Sequence, residues 1–137
     1  LKADEEAIVE IATHQEIDAR LCGEVASLTA ESCRVTLTAS RSMRADSSGL
    51  IHGGFVFGMA DYAAMVAVNH PNVVLGAAET KFLKPVRVGD TLEAEAHIQE
   101  RQGKRIFVAV TVSRGEDAVF QGLFTCFVPP RHVLDSN

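Results

Sequence analysis

The segment LIHGGFVFGMADYAAMVAVN, Leu50 to Asn69, holds the residue types best suited to chemistry. It opens with His52-Gly53-Gly54 at the start of a long apolar run. Glycines let a ligand approach the backbone closely. A helix N-terminus presents unpaired N–H groups and a partial positive charge, which suits a carbonyl oxygen gaining negative charge. Taken alone, the triplet reads as a loop-to-helix junction with glycine for packing. Asp61 is the lone charge in the run. If buried, its carboxyl is held towards the neutral form and is suited to act as general base or nucleophile. If exposed, or paired with Tyr62 or Lys81, it is structural, and the sequence leaves the two readings even. Glu79 and Lys81 share one face of a following strand by the period of two. That face reads as solvated, and Glu79 orients a site group only if the strand crosses the helix near Asp61.

Spacing adds a constraint. Gly54 and Asp61 are seven residues apart, roughly 10 Å along a helix axis at about 1.5 Å per residue. One carbonyl cannot touch both. Two such helices, antiparallel about a twofold axis, bring Gly54 of one near Asp61 of the other. A reaction that uses both residues therefore needs a site shared between subunits.

The elements that must position these residues follow from the pattern. Ile8, Ile11 and Ala12 have helical spacing, which predicts a short helix or two over Asp4–Ile17. Gly23–Leu28 and Cys33–Ala39 read as strands, and Ser40–Gly49 as a polar loop. Gly53–Asn69 reads as one long helix, apolar all round and therefore buried, ended by Pro71. Val73–Leu83 reads as a strand. Leu92, Ala94, Ala96 and Ile98 then alternate with polar residues, as do Ile106, Val108, Val110 and Val112, and Ala118–Val128 reads as the last strand. Turns at Val88-Gly89-Asp90, Arg101–Lys104 and Arg114–Asp117 suggest antiparallel hairpins. One helix between two groups of strands calls for a curved antiparallel sheet around it. Such a sheet leaves edges for a second subunit to cover.

Composition narrows the class. The chain has 137 residues, net charge −5 and a pI of about 5.5. Its 13 Lys and Arg are scattered, a poor match to nucleic acid. Three cysteines without regular spacing, Cys22, Cys33 and Cys126, read as buried free thiols and give no metal-ligand pattern. No run is long and apolar enough for a signal peptide or a membrane span, so the chain reads as soluble and cytoplasmic.

HGGFVFGMADYAAMVAVN followed by KFLKPVRVGD resembles the hotdog-fold acyl-CoA thioesterases, nearest to the phenylacetate-degradation type. The likeness spans roughly Gly23 to Val128. HGG-x(6)-D and F-x-x-P-x-x-x-G-D carry it together, and neither does alone. The resemblance implies an α+β chain that is a single hotdog domain over residues 1–137, with a long central helix wrapped by a curved antiparallel β-sheet. It implies homodimers joined edge to edge, or homotetramers, with the pantetheine arm of an acyl-CoA substrate entering at the subunit interface. Asp61 is then general base or nucleophile, the Gly53 N–H stabilises the oxyanion beside Gly54, and His52 orients the thioester or its leaving group. Lys84, Arg87 and Arg105 are candidates, by residue type, for the CoA phosphates. No metal or dissociable cofactor is implied. Many relatives carry Asn six residues before the histidine, where this chain has Asp46. That residue either adds a second negative charge to the site or faces solvent in the loop RADSSG.

Two other readings compete. Some hotdog domains resembling the KFLKPVRVGD region sense malonyl-CoA for a lipid-synthesis repressor. About 20 residues precede the first strand here, too few for a helix-turn-helix, and a sensor does not need Asp61. A hydratase or dehydratase would use an Asp and a His from one loop. Asp46 and His52 faintly match that pair, but the intervening Asn-Pro is replaced by Ser47–Ile51.

Overall fold

Alternation along the later strands makes one apolar face, and that face wraps the helix. The computed structural model describes residues 9–135. In order the elements are α1 (Ala19–Cys22), β1 (Glu24–Leu28), β2 (Ser32–Thr38), a 3-10 turn (Arg41–Met43), α2 (Gly53–Val68), β3 (Val74–Phe82), β4 (Thr91–Gln102), β5 (Arg105–Arg114) and β6 (Asp117–Phe127). The strands form a single sheet in the order β1-β2-β4-β5-β6-β3, every neighbour antiparallel. Leu92, Ala94, Ala96, Val108, Val110 and Val112 are buried on the inner face.

α2 is enclosed almost all round, with Met59, Ala60, Ala63, Ala64, Met65 and Val66 buried. Ala at the contact points lets helix and sheet approach closely while methionines fill the remaining gaps. The helix ends at Asn69, whose left-handed backbone (φ 55°) forms the C-cap, and its amide donates to the Met65 carbonyl (2.9 Å). Asn tolerates that conformation.

The structure departs from expectation at four places. Of the helix expected over Asp4–Ile17, the part before Val9 lies outside the described residues. From Val9 to Asp18 the chain is irregular, and the first helical turn is α1, capped by the Asp18 carboxylate accepting from the Arg20 amide (2.9 Å). Cys22 is half-buried rather than buried, because it closes that short turn. The turn around Gly103 is tighter than expected, since β4 runs on to Gln102. Finally, β3 and β4 do not form a hairpin. β3 pairs with β6 at the far edge, and Leu83–Asp90 crosses back to the middle of the sheet.

That crossover is stitched to the segment leading into α2. The Ile51 amide donates to Val86 O (2.8 Å), Val88 N–H to Gly49 O (2.9 Å) and Gly89 N–H to Ala39 O (2.8 Å). Gly89 has φ +96°, a region that L side chains rarely adopt. Arg114 clamps both ends of the crossover, donating to Pro85 O (2.8 Å) and pairing with the Asp90 carboxylate (3.1 Å). The spacing P-x-x-x-G-D thus fixes the loop against which the His-Gly-Gly segment lies.

Candidate active site

Asp61 lies in the middle of α2, where burial of the surrounding helix has a direct electrostatic consequence. Among the described residues its Oδ1 is the one buried side-chain oxygen or nitrogen without a hydrogen-bond partner. Loss of solvation pushes its carboxyl up to about 6. Neither Tyr62 nor Lys81 is its partner: Lys81 stands on the outer face of the sheet, opposite Gln121. Asp61 borders a cleft of about 390 Å3 with Thr13, His14, Met65, Leu75 and His132. An unpartnered carboxylate beside open space has a free lone pair for a proton, which is what a base needs.

The thiols offer no competing nucleophile. Burial pushes Cys33 and Cys126 up to about 12, the charge of Asp61 adding to the effect at Cys126, and burial also raises Cys22. All three stay protonated at neutral pH.

At the start of α2, His52 is the N-cap and supplies no side-chain capping bond. Gly53 and Gly54 occupy the first turn, whose amides have no acceptor within the helix. Both glycines lie under rings. A Cβ on Gly53 would stand 3.2 Å from Phe82, and one on Gly54 would stand 3.1 Å from the His52 imidazole. The spacing of the two motifs is thereby explained: Phe82, at the start of F-x-x-P, covers Gly53. A second cleft, of about 360 Å3, borders Gly53, Val56, Phe82, Leu83 and Lys84. It does not include Asp61, so a single chain keeps the helix N-terminus and the carboxylate in separate clefts.

The remaining candidates are placed unevenly. Lys84 borders the Gly53 cleft and pairs with Asp117 (3.2 Å). Arg87 is exposed beside Leu50, with which it forms a β-bridge. Arg87 lies farther along the crossover from Lys84 and does not line the Gly53 cleft. Arg105 does not join them. Its guanidinium lies over the Phe127 ring (5.6 Å), seven residues along β6 from Phe120, roughly 24 Å away at about 3.4 Å per residue. Glu79 is not brought to Asp61 either. It pairs with Leu123 on the outer face, while its neighbours Ala78 and Thr80 align with Phe124 and Gly122 facing the helix. Asp46 is exposed and closes its own loop: Oδ1 accepts from Ser48 N–H (2.9 Å) and from Ser48 Oγ–H (2.6 Å). The Ser48 hydroxyl holds its carboxyl below the usual range. Thr13, His14 and His132, which the sequence did not single out, join Asp61 at its cleft. They come from irregular segments, where no periodic pattern marks a residue for a site.

No helix among the described residues is long and apolar enough to cross a membrane. Comparison with known proteins supplies the family. The sequence model of the thioesterase superfamily matches residues 48–121, more than half of the chain. A protein of Aquifex aeolicus named methylthioribose-1-phosphate isomerase is 48% identical over 121 residues, which are 88% of this chain and 26% of that protein. Transcription factor FapR of Caldanaerobacter subterraneus is 32% identical over 75 residues, 55% of this chain and 38% of FapR. The chain therefore spans well under half the length of these curated relatives. Among solved structures, the uncharacterized protein PH1136 of Pyrococcus horikoshii is 49% identical with a TM-score of 0.91, covering 93% of this chain and 98% of that one. A hypothetical thioesterase of Streptococcus pneumoniae, solved with coenzyme A, shares the fold at 20% identity and a TM-score of 0.72, over 80% of this chain and 87% of its own. With its helix wrapped by a six-stranded antiparallel sheet, this chain is a hotdog-fold member of the thioesterase superfamily.

Proposed function

We propose that the chain, as a single domain over residues 1–137, hydrolyses acyl-CoA thioesters to a carboxylic acid and free CoA. The observation that carries this reading is Asp61, a carboxylate without a partner at a cleft and with its proton affinity raised to about 6. Ionised at neutral pH, Asp61 takes a proton from water as the water's oxygen bonds to the thioester carbon, the C–S bond breaks and the thiolate takes up that proton. In the direct route Asp61 attacks the carbon, the C–S bond breaks to leave an acyl-enzyme anhydride, and water hydrolyses the anhydride, one of its protons going to the thiolate. The Gly53 N–H of a second subunit stabilises the oxyanion, and that subunit's His52 orients the thioester. The separate clefts at Gly53 and Asp61 support a shared site, as does β3, a sheet edge whose residues from Gly76 to Glu79 are exposed and open to a second copy. Lys84, at the Gly53 cleft, and Arg87, farther along the same crossover, receive the CoA phosphates. The match to the thioesterase superfamily and the coenzyme A in a structural neighbour support the substrate class.

The FapR similarity favours a second reading, an acyl-CoA-binding module without turnover. Thiol release from a panel of aliphatic, aryl and dicarboxylic acyl-CoAs separates the two. Hydrolysis of some member that falls about 100-fold or more in Asp61→Asn supports the enzyme. Tight binding of CoA esters by both proteins, with no release from any, supports the module and sinks the enzyme.

A further inference from the structure

Asp61 is not the only polar group on its cleft. Residues Glu10–His14 cross the end of α2 in the grip of one side chain. The Asn69 side-chain carbonyl accepts from the Ala12 amide (2.7 Å), and its amide nitrogen donates to Glu10 O (2.8 Å). Held there, Thr13 is 5% exposed and His14 takes φ 54°, a left-handed conformation that non-glycine residues adopt mainly where the surroundings impose it. Thr13 Oγ lies 2.8 Å from His14 Nδ1. From another segment, His132 borders the same cleft. The Leu134 amide donates to its Nδ1 (3.0 Å), which puts the proton of the neutral ring on Nε2. Both imidazoles thus have Nδ1 engaged and Nε2 left over. Met65, Pro71, Val73 and Leu75 make the remaining wall apolar.

We propose that His14 and His132 make the Asp61 cleft selective for acyl thioesters that carry a neutral carbonyl acceptor within a few atoms of the thioester, the Thr13 hydroxyl donating to His14 so that both rings present Nε2–H. This rests on the hydrolytic reading of Asp61. Burial lowers the proton affinity of His14 and keeps its ring neutral, a hydrogen-bond donor without charge. A carboxylate on the acyl chain is disfavoured, because it would share the cleft with ionised Asp61. The cleft, about 390 Å3, is near the small end of the range of about 300–1,000 Å3 for ligand sites, which keeps the acceptor close to the reacting carbon. An acyl group without an acceptor displaces water from the part-buried His14 donor and offers nothing in return, a loss of about tenfold or more in rate.

The test is thiol release from hexanoyl-CoA, 3-oxohexanoyl-CoA and adipoyl-CoA, using the whole chain, His14→Asn and His132→Phe. Asn accepts the left-handed backbone at position 14, and Phe keeps a ring at 132. The wild type is expected to favour the 3-oxo substrate over hexanoyl-CoA by about tenfold or more in kcat/KM, and each variant to move that ratio towards one. A wild type without the preference, a preference for adipoyl-CoA, or a ratio untouched by both variants overturns the inference. Equal loss on both substrates also overturns it, by placing the rings on the thioester oxygen common to all acyl-CoAs. Asp61-dependent hydrolysis of hexanoyl-CoA with no 3-oxo preference removes this inference alone. No hydrolysis of any acyl-CoA removes the hydrolytic reading and this one with it.

Discussion

Replacing Asp61 with Asn should make the protein more stable, and by an amount that depends on pH. The carboxyl titrates near 3.8 when solvated and near 6 in the folded chain, because burial disfavours its charge. Between those values the folded protein holds a proton that the unfolded chain has released. The stability from this group is therefore complete below 3.8 and is lost as pH rises through 6. At pH 8 the ionised carboxylate costs about 3 kcal/mol, of which about half is already present at pH 5. Asn does not titrate. Its amide still occupies an enclosed place, which adds a constant to the comparison, so the sharp quantity is the change with pH. The gain from Asp61→Asn should be larger at pH 8 than at pH 5 by about 1.5 kcal/mol. Urea unfolding of both proteins at both pH values, at one protomer concentration, measures it. A gain that is the same at both pH values, or a variant whose relative stability falls as pH rises, would refute the claim that Asp61 is enclosed and unpaired. Together with the loss of turnover proposed above, a gain would mean that the fold carries this group at the expense of its own stability.

Other expectations follow from the same geometry. The kcat/KM of the wild type should fall on the acid side with a midpoint near 6, as Asp61 gains its proton; a flat profile from pH 5 to 8 removes Asp61 as the base. Gly53→Pro keeps a residue suited to the first helical position but deletes its N–H. Refolding equal amounts of inactive Gly53→Pro and Asp61→Asn chains together should restore about a quarter of wild-type activity, since half the dimers are mixed and one of their two shared sites is intact; no recovery argues against a shared site. A Cβ at Gly76 would overlap one edge of the Phe127 ring, so Gly76→Ala should cost about 1–3 kcal/mol in urea unfolding and Phe127→Ala should relieve much of it. Asn69→Gly keeps the left-handed cap and removes both bonds to Glu10 and Ala12. It should expose residues 9–14 to limited proteolysis while the sheet stays resistant.

The parts of the molecule legible in its sequence are those set by local periodicity. Leu92–Ile98 and Ile106–Val112 alternate because each strand has one face on the helix, and the strands lie where the alternation puts them. The helix was legible because a run apolar on all sides has no solvated face. Register with distant strands is not a local property. The period of two placed Glu79 and Lys81 on one face, but only pairing with Leu123 and Gln121 shows that this face looks away from α2. For the same reason the far-edge position of β3 and the distance of Arg105 from Lys84 were not visible. The segment before α1 misled because Ile11 and Ala12 have helical spacing, whereas the chain there is tied to the Asn69 side chain instead. Asp61 stood out as the single charge in an apolar run, but only the packing around α2 decides between the buried and exposed readings that the run left even.

The crossing of Leu83–Asp90 from edge to middle also orders the way the chain can fold. β4, β5 and β6 are joined by turns at Gly103-Lys104 and Gly115-Glu116, so their pairing closes only short loops. β2 must find β4 across the whole of α2 and β3, joining Ser32 to His97, and β3 must find β6 from beyond both hairpins, joining Val74 to Phe127. Closing those long loops loses more chain entropy, and nothing repays it until a template is present. The three-stranded meander is that template, and β3 and the helix dock on it afterwards. Both outer edges, at β1-β2 and at β3, are thus laid down after the meander, and a second copy pairing on β3, as proposed above, would meet an edge that exists only once most of the fold is in place.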